Sequence, residues 1–413
     1  MNFQSCGFRP AQHCQRTRSL QQAAPSVKPN IRLSSNTVRS LPAVISVIMV
    51  FGITLGLTIP LIAIVLDGQG HSSVAIGLHA STQFLGIMLA ALITPRLLVA
   101  VGTSRLMVLS MVAMMLIFCA FPFFMGFVPW LLLRLLLGGV EGIIFISAET
   151  WISQVAPSAR RGRVIGIYGT LLAGGIAAGP LLLELTGVEG VIPFLTGAVL
   201  TFVSLSILLF APHVAPSIRD ATRRSPWTIA KTVPIAVASV MLFGFLDAAA
   251  FGLLPIYGLA LNSSPIEAAR LVTVLVLGGM AFQYPLGWLA DHIDRQRLIA
   301  GCATVAAFAM LLTPLTSNLS IALYGLIFTT GGMISGFWTL PLIIFGENFK
   351  GSELASVNST AAVFYGMGSI VGPSVLGLTM IDSPHGLMVA MAGPCIGLAF
   401  FAIVRCPKSP SSA

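Results

Sequence analysis

Charge is what this chain of 413 residues has least of: Asp, Glu, Lys and Arg together make up 8% of it, against roughly 25% in a soluble domain. With 56% hydrophobic residues there is more apolar surface than a water-soluble fold could bury, so a polytopic membrane protein is expected. The apolar runs are long and unbroken, not short alternating segments, which selects helices over a barrel. Cysteine is sparse. None of Cys6, Cys14, Cys119, Cys302, Cys395 and Cys406 belongs to a C-x-x-C pair, and Cys119, Cys302 and Cys395 lie in apolar runs as small hydrophobes. No disulfide framework and no metal site are expected. The chain also lacks Gly-x-x-x-x-Gly-Lys-Ser/Thr, Gly-x-Ser-x-Gly and His-Glu-x-x-His. Their absence argues against an ATP-driven pump and against a hydrolytic or zinc enzyme, so neither catalysis nor a cofactor is expected.

What is present is a succession of apolar runs about as long as a bilayer is thick. Twelve spans are read at roughly 41–66, 74–98, 105–125, 130–152, 163–185, 190–210, 233–259, 266–290, 298–316, 320–345, 355–381 and 386–404. The basic residues sort by side. All of the 22 Lys and Arg except Arg134 and Arg270 fall on one side of a twelve-span arrangement. That side is cytoplasmic by the positive-inside rule, which places both termini there. The net charge of +9 therefore reads as topology, with some attraction to anionic lipid, and not as a nucleic-acid footprint.

The first 40 residues contain no acid and are rich in Arg, Ser and Gln. They read as a disordered cytoplasmic tail, or alternatively as an organellar transit peptide. Bundles of six spans over 41–210 and 233–404, a cytoplasmic linker over 211–232 and a tail over 405–413 complete the organisation. The halves repeat. MVFG at 49–52 answers MLFG at 241–244, and LGIM at 85–88 answers LGGM at 277–280. Gly138-Gly139 answers Gly331-Gly332, and Gly175-x-x-x-Gly179-Pro180 answers Gly368-x-x-x-Gly372-Pro373. Such a repeat in one orientation implies a pseudo-two-fold axis along the membrane normal. The spaced glycines allow close helix approach, and the Gly-Pro steps suggest bends in spans 5 and 11.

The stretch GWLADHIDRQR, residues 287–297, resembles the best-known loop motif of the major facilitator superfamily through Gly287, Asp291, Asp294, Arg295 and Arg297. The corresponding TPRLLVAVGTSR, 94–105, keeps Gly102 and Arg105 but lacks the aspartate, which implies a looser first-half latch. Arg134, Gly138, Gly139 and Gly142 resemble the span 4 motif of proton-coupled members. Gly175, Gly179 and Pro180 resemble the antiporter motif of span 5, with Leu183 and Glu184 where glycines would follow. The resemblance implies an all-α fold of two six-helix bundles whose spans 1, 4, 7 and 10 line a central cavity.

Glu141 and Asp247 then fall near the midplane on helices from opposite halves. They are the expected proton-coupling or substrate residues, with Arg134 two turns from Glu141 on nearly the same face. Both are expected to face a watered cavity; the alternative is a structural Arg134–Glu141 pair. Glu149 is expected to latch to Arg160, Arg161 or Arg163, and Glu347 to Arg295 or Arg297. Asp291 is expected to accept from a helix N-terminus across the interface. Gln83, Tyr257, Gln283, Trp338, Asn358 and Tyr365 are further possible substrate contacts, each equally suited to helix packing. His71, His79 and His385, near the outer ends, carry little information. The expected function is secondary transport of a small organic solute by alternating access with protons, in a monomer of the bacterial inner membrane, an organellar membrane being the lesser alternative. Uptake of an amphiphilic or ring-bearing nutrient such as a vitamin leads, and proton-antiport efflux of drugs or metabolites is the alternative.

Overall fold

A computed structural model of the chain describes residues 41–155, 161–210, 226–316, 321–349 and 353–405. The expected tail over 1–40, most of the linker and the last residues lie outside that set. Twelve helices are long and apolar enough to cross a membrane, and no strand occurs among the described residues. They are α1 Leu41–Gly68, α2 Ser73–Val101, α3 Thr103–Ala120, α4 Phe127–Val155, α5 Arg161–Thr186 and α6 Ile192–Phe210. After a short helix at Pro226–Thr232 come α7 Pro234–Ala260, α8 Pro265–His292, α9 Arg295–Leu312, α10 Ile321–Asn348, α11 Glu353–Leu378 and α12 Gly386–Arg405.

Local chemistry sets several of the ends. Ser72 accepts from Ala75 N at the start of α2. Ser264 and Glu267 form a reciprocal capping box at α8, with Pro265 opening the helix. One expected span overshoots. Span 3 was read to about 125 from its apolar content, yet α3 stops at Ala120, ahead of Pro122 and of Gly126 with its φ of 127°. Span 9, expected to about 316, ends at Leu315, its last turn tightened to a 3-10 turn, Thr313–Leu315, around Pro314.

The packing repeats. α1 lies on α5 as α7 lies on α11; α2 lies on α4 as α8 lies on α10; α3 pairs with α6 as α9 pairs with α12. The halves meet through α2 on α11 and α5 on α8, pairs that exchange under the same operation, and α7 also touches α1 and α2. These are two six-helix bundles related by a pseudo-two-fold axis. Lipid gives helices no hydrophobic reason to associate, so close backbone approach matters. At Gly175 and Gly179 a methyl group would run into the backbone of α1 around Met49 and Gly56; at Gly368 and Gly372 it would run into α7 at Met241 and Phe245. α5 and α11 continue through Pro180 and Pro373. The matched glycines thus serve as helix contact points, whatever bending the prolines add.

Candidate functional site

In the first half, Glu141 is fully buried, and its Oε2 accepts a hydrogen bond from Gln83 Nε2 on α2 at 2.8 Å. Arg134, 1% exposed, reaches across to α1. Its Nη2 donates to the carbonyls of Thr58 and Ile59 at 3.3 and 3.2 Å, just before Pro60. The two charges act on each other through space, without a direct ion pair. Glu141 Oε1, Gln83 Oε1 and Arg134 Nε have no protein partner among the described residues. The expected watered position for Glu141 is corrected here: the carboxylate is occluded. The cause is backbone packing on both sides of it. Gly138 sits against the Gln83 carbonyl and Gly142 against that of Ile87, so α2 and α4 close directly over the side chain.

In the second half, Asp247 on α7 is only half-buried. Tyr365 on α11 donates its hydroxyl to Asp247 Oδ2 at 3.0 Å. Among the described residues no cationic side chain comes within ion-pair distance of it. Tyr365 belongs to a cluster of three rings, with Phe243, one turn before Asp247 on α7, and Trp338 on α10. Their centroids are 5.7 to 5.8 Å apart in every pairing. All four residues are half-buried, whereas the adjoining Leu242, Leu246, Ala248, Phe337 and Phe364 are buried. The acid and the ring cluster are thus both partly accessible where α7, α10 and α11 meet.

The two carboxylates lie at similar depth. A methyl at Gly252 on α7 would touch Ala80 on α2, which fixes a common level. From there, five residues of α7 lead back to Asp247 and three residues of α2 lead on to Gln83. At about 1.5 Å per residue these steps differ by roughly 3 Å.

The loop residues separate into different roles. Arg295 Nη2 stands 2.7 Å from Glu347 Oε1, joining α9 to α10 within the second half. Asp294 caps α9, its Oδ1 accepting from the backbone N–H of Gln296 and of Arg297 at 3.1 Å each. Asp291 and Arg297 are exposed, and a methyl at Gly287 would meet nothing within 4 Å. Residues 350–352, leading into α11, lie outside the described set. Glu149 is exposed, with the buried Tyr168 within electrostatic reach. Its expected partner Arg160 and the side chains of Arg161 and Arg163 lie outside the described residues.

Of the other candidates, Gln83 and Trp338 join the two acid sites. Tyr257 is buried and its hydroxyl pairs with His385 Nδ1 at 3.2 Å. Gln283 is exposed, and the side chain of Asn358 lies outside the described residues. Sequence reasoning missed Glu184 and Arg270. Arg270 Nε and Nη2 both donate to Glu184 Oε1, at 2.9 and 2.8 Å, linking α8 to α5. The signals were there: Arg270 broke the charge asymmetry, and Glu184 stood where a glycine was expected. It missed His79 too, which is buried and bonds the Phe127 carbonyl through Nε2 at 3.0 Å. Among the described residues, four polar links between the halves lie toward the arginine-poor end. They are Ser73 to the Gly377 carbonyl at 2.8 Å, Ser81 with Ser374 at 2.9 Å, Thr273 to the Ala177 carbonyl at 2.9 Å, and the Arg270 pair.

The Major Facilitator Superfamily profile matches residues 44–269 and 237–413. The chain is 24% identical over 332 residues to a Bacillus subtilis (strain 168) protein described as an uncharacterized MFS-type transporter, YfkF, covering 79% of this chain and 85% of that one. Among solved structures, a mutant form of the nucleoside transporter NupG superposes with a TM-score of 0.74 at 12% identity, over 88% of this chain and 99% of its own. A D-xylose-proton symporter superposes with 0.71 at 13% identity, over 90% and 98%.

Proposed function

The chain belongs to the Major Facilitator Superfamily and is a secondary transporter, and we propose that it moves a small ring-bearing organic solute together with protons. The observation that carries this reading is the pair of acidic residues inside the membrane at matching depth, one in each half, each held by a neutral donor: Gln83 for Glu141 and Tyr365 for Asp247. Ionisable groups at that depth are costly and mark ion or substrate paths. Their settings divide the work. Occluded Glu141, with Arg134 close by, is suited to taking and releasing a proton as α2 and α4 part. Half-open Asp247, with its rings, is suited to the solute.

By the positive-inside rule we assign the arginine-rich end and both termini to the cytoplasm. The links between the halves at the other end, among the described residues, support reading this conformation as closed outside. Opening would break the Glu184–Arg270 pair and bring the cytoplasmic ends together, where Gly287 leaves room for approach and Glu347–Arg295 would be rearranged. We assign the bundles to 41–210 and 233–404, joined by a cytoplasmic linker, and the working unit as a monomer in the bacterial inner membrane.

Uptake by symport is the leading direction, because Leu183 is buried and Glu184 is engaged with Arg270 where antiporter-type glycines would stand. Efflux by exchange is the second reading, favoured by the lack of a counter-charge at Asp247 among the described residues, a carboxylate for which a solute cation and a proton would compete. Proteoliposomes decide between them. A pH gradient of either sign is imposed over a panel of aromatic and heterocyclic solutes. Movement of solute with the proton supports symport and movement against it supports exchange. Transport indifferent to the gradient would overturn proton coupling.

A further inference from the structure

We propose that the Asp247 site receives an organic cation, a small amine or quaternary ammonium carried on an apolar body. The inference rests on the transporter reading above and adds to it the charge of the solute. Three observations converge. First, the carboxylate is anchored by one neutral donor, Tyr365, and among the described residues no Lys, Arg or His stands within ion-pair distance. Glu141, by contrast, feels the charge of Arg134. A carboxylate at membrane depth draws a counter-charge, and here the protein does not supply one nearby.

Second, the surroundings are aromatic. Phe243, Trp338 and Tyr365 form a mutually packed cluster with centroids 5.7 to 5.8 Å apart, and the acid lies one turn along α7 from Phe243. Ring faces carry negative quadrupole charge and attract cations within about 6 Å, most strongly where water is thinned. Rings beside an acid discriminate against anionic solutes twice over, since the carboxylate repels them and the ring faces do not attract them. They also give an uncharged polyhydroxyl solute few partners for its hydroxyls, which would then lose hydrogen bonds on leaving water. Third, the acid and the rings are partly open. Phe243, Asp247, Trp338 and Tyr365 are all half-buried where three helices of the second half meet. A ligand reaching the acid would therefore find the ring cluster close at hand, through Tyr365.

Equilibrium dialysis of the purified full-length protein tests this with three radiolabelled probes of similar size: benzyltrimethylammonium, benzyl alcohol and benzoate. The cation is expected to bind at least ten-fold more tightly than the alcohol or the anion. Asp247→Asn is expected to weaken the cation at least ten-fold and leave the alcohol unchanged. Trp338→Leu should cost the cation several-fold, and Asp247→Glu should retain the preference, which separates loss of charge from loss of fold. Equal binding of the three probes, or cation binding unmoved by Asp247→Asn, overturns the proposal. The same preparations in proteoliposomes keep the two readings apart. Gradient-driven movement of an uncharged or anionic solute without cation preference overturns the cation and leaves the transporter reading standing. Cation binding with no gradient-driven movement of any solute supports the cation site and overturns proton coupling.

Discussion

Arg270 on α8 and Glu184 on α5 join the two halves of the molecule through one carboxylate oxygen, with both guanidinium donors within 2.9 Å of it. The pair is partly exposed, at 41% and 36% of the two side chains, so water and salt weaken it. Exposed pairs contribute roughly 0.2–1 kcal/mol. A contribution of that size is small for folding yet large enough to tilt two states that differ by little, by up to about five-fold in population. Glu184→Gln should therefore shift the protein toward conformations open at the arginine-poor end. Arg270→Gln should do the same, and the exchanged pair Glu184→Arg with Arg270→Glu should restore the balance. Distances between spin labels on α5 and α8 read the shift; an unchanged distribution in both single variants would remove the pair from gating.

Two glycines, one in the middle of α4 and one near the arginine-rich end of α8, make opposite predictions. Gly138 has the Gln83 carbonyl so close that an added methyl must displace backbone, whereas Gly287 has open space around it. Gly138→Ala should lower thermal stability and the yield of monodisperse protein. Gly287→Ala should leave stability unchanged in this conformation and slow turnover, if the arginine-rich ends draw together during the cycle. Melting curves and initial transport rates on the same preparations check both halves of the statement.

Much of the fold was legible because a bilayer imposes a single requirement, a long apolar helix, that composition alone can meet. The repeat was legible for a related reason: the contacts of Gly179 of α5 against α1 and of Gly372 of α11 against α7 need a glycine in register, and register survives in sequence. The end of span 3 was misjudged because Pro122 outweighs apolar content locally. The site was half legible. Charge in an apolar run picked out Arg134, Glu141 and Asp247. It could not say that Glu141 would be occluded, since that depends on how closely α2 packs against Gly138 and Gly142. Nor could it gather Phe243, Trp338 and Tyr365 from three helices into one cluster. His79 looked uninformative because nothing local shows that the Phe127 carbonyl would face it.

The two acids should respond differently to neutralisation. Asp247→Asn preserves shape and can still accept from the Tyr365 hydroxyl, so the protein should fold and lose gradient-driven solute movement. Glu141→Gln keeps a partner for the Gln83 amide and should spare solute binding while removing its dependence on protons. Counterflow, which needs no proton gradient, is expected to survive Glu141→Gln and to fail with Asp247→Asn. Loss of counterflow in both variants would place the two acids in one solute site.

The last prediction concerns Arg134, whose worth cannot be read from a single deletion. It is buried, and its Nη2 donates to the Thr58 and Ile59 carbonyls of α1. Hydrogen bonds from a charged group contribute about 1.5–3 kcal/mol. Arg134→Met should therefore destabilise the protein by roughly 2 kcal/mol, and it also leaves Glu141 without its compensating charge. Glu141→Gln alone leaves the guanidinium as an uncompensated buried cation. Replacing both removes the two charges together, and groups that share a network are not additive. The double variant should thus be more stable than the sum of the single losses predicts, by at least about 1 kcal/mol. Unfolding in mixed detergent micelles gives all four corners of the cycle. A cycle that closes additively would mean that Arg134 serves α1 alone. The electrostatic link from α1 through Arg134 to Glu141 would then have to be abandoned, even if transport still required both residues.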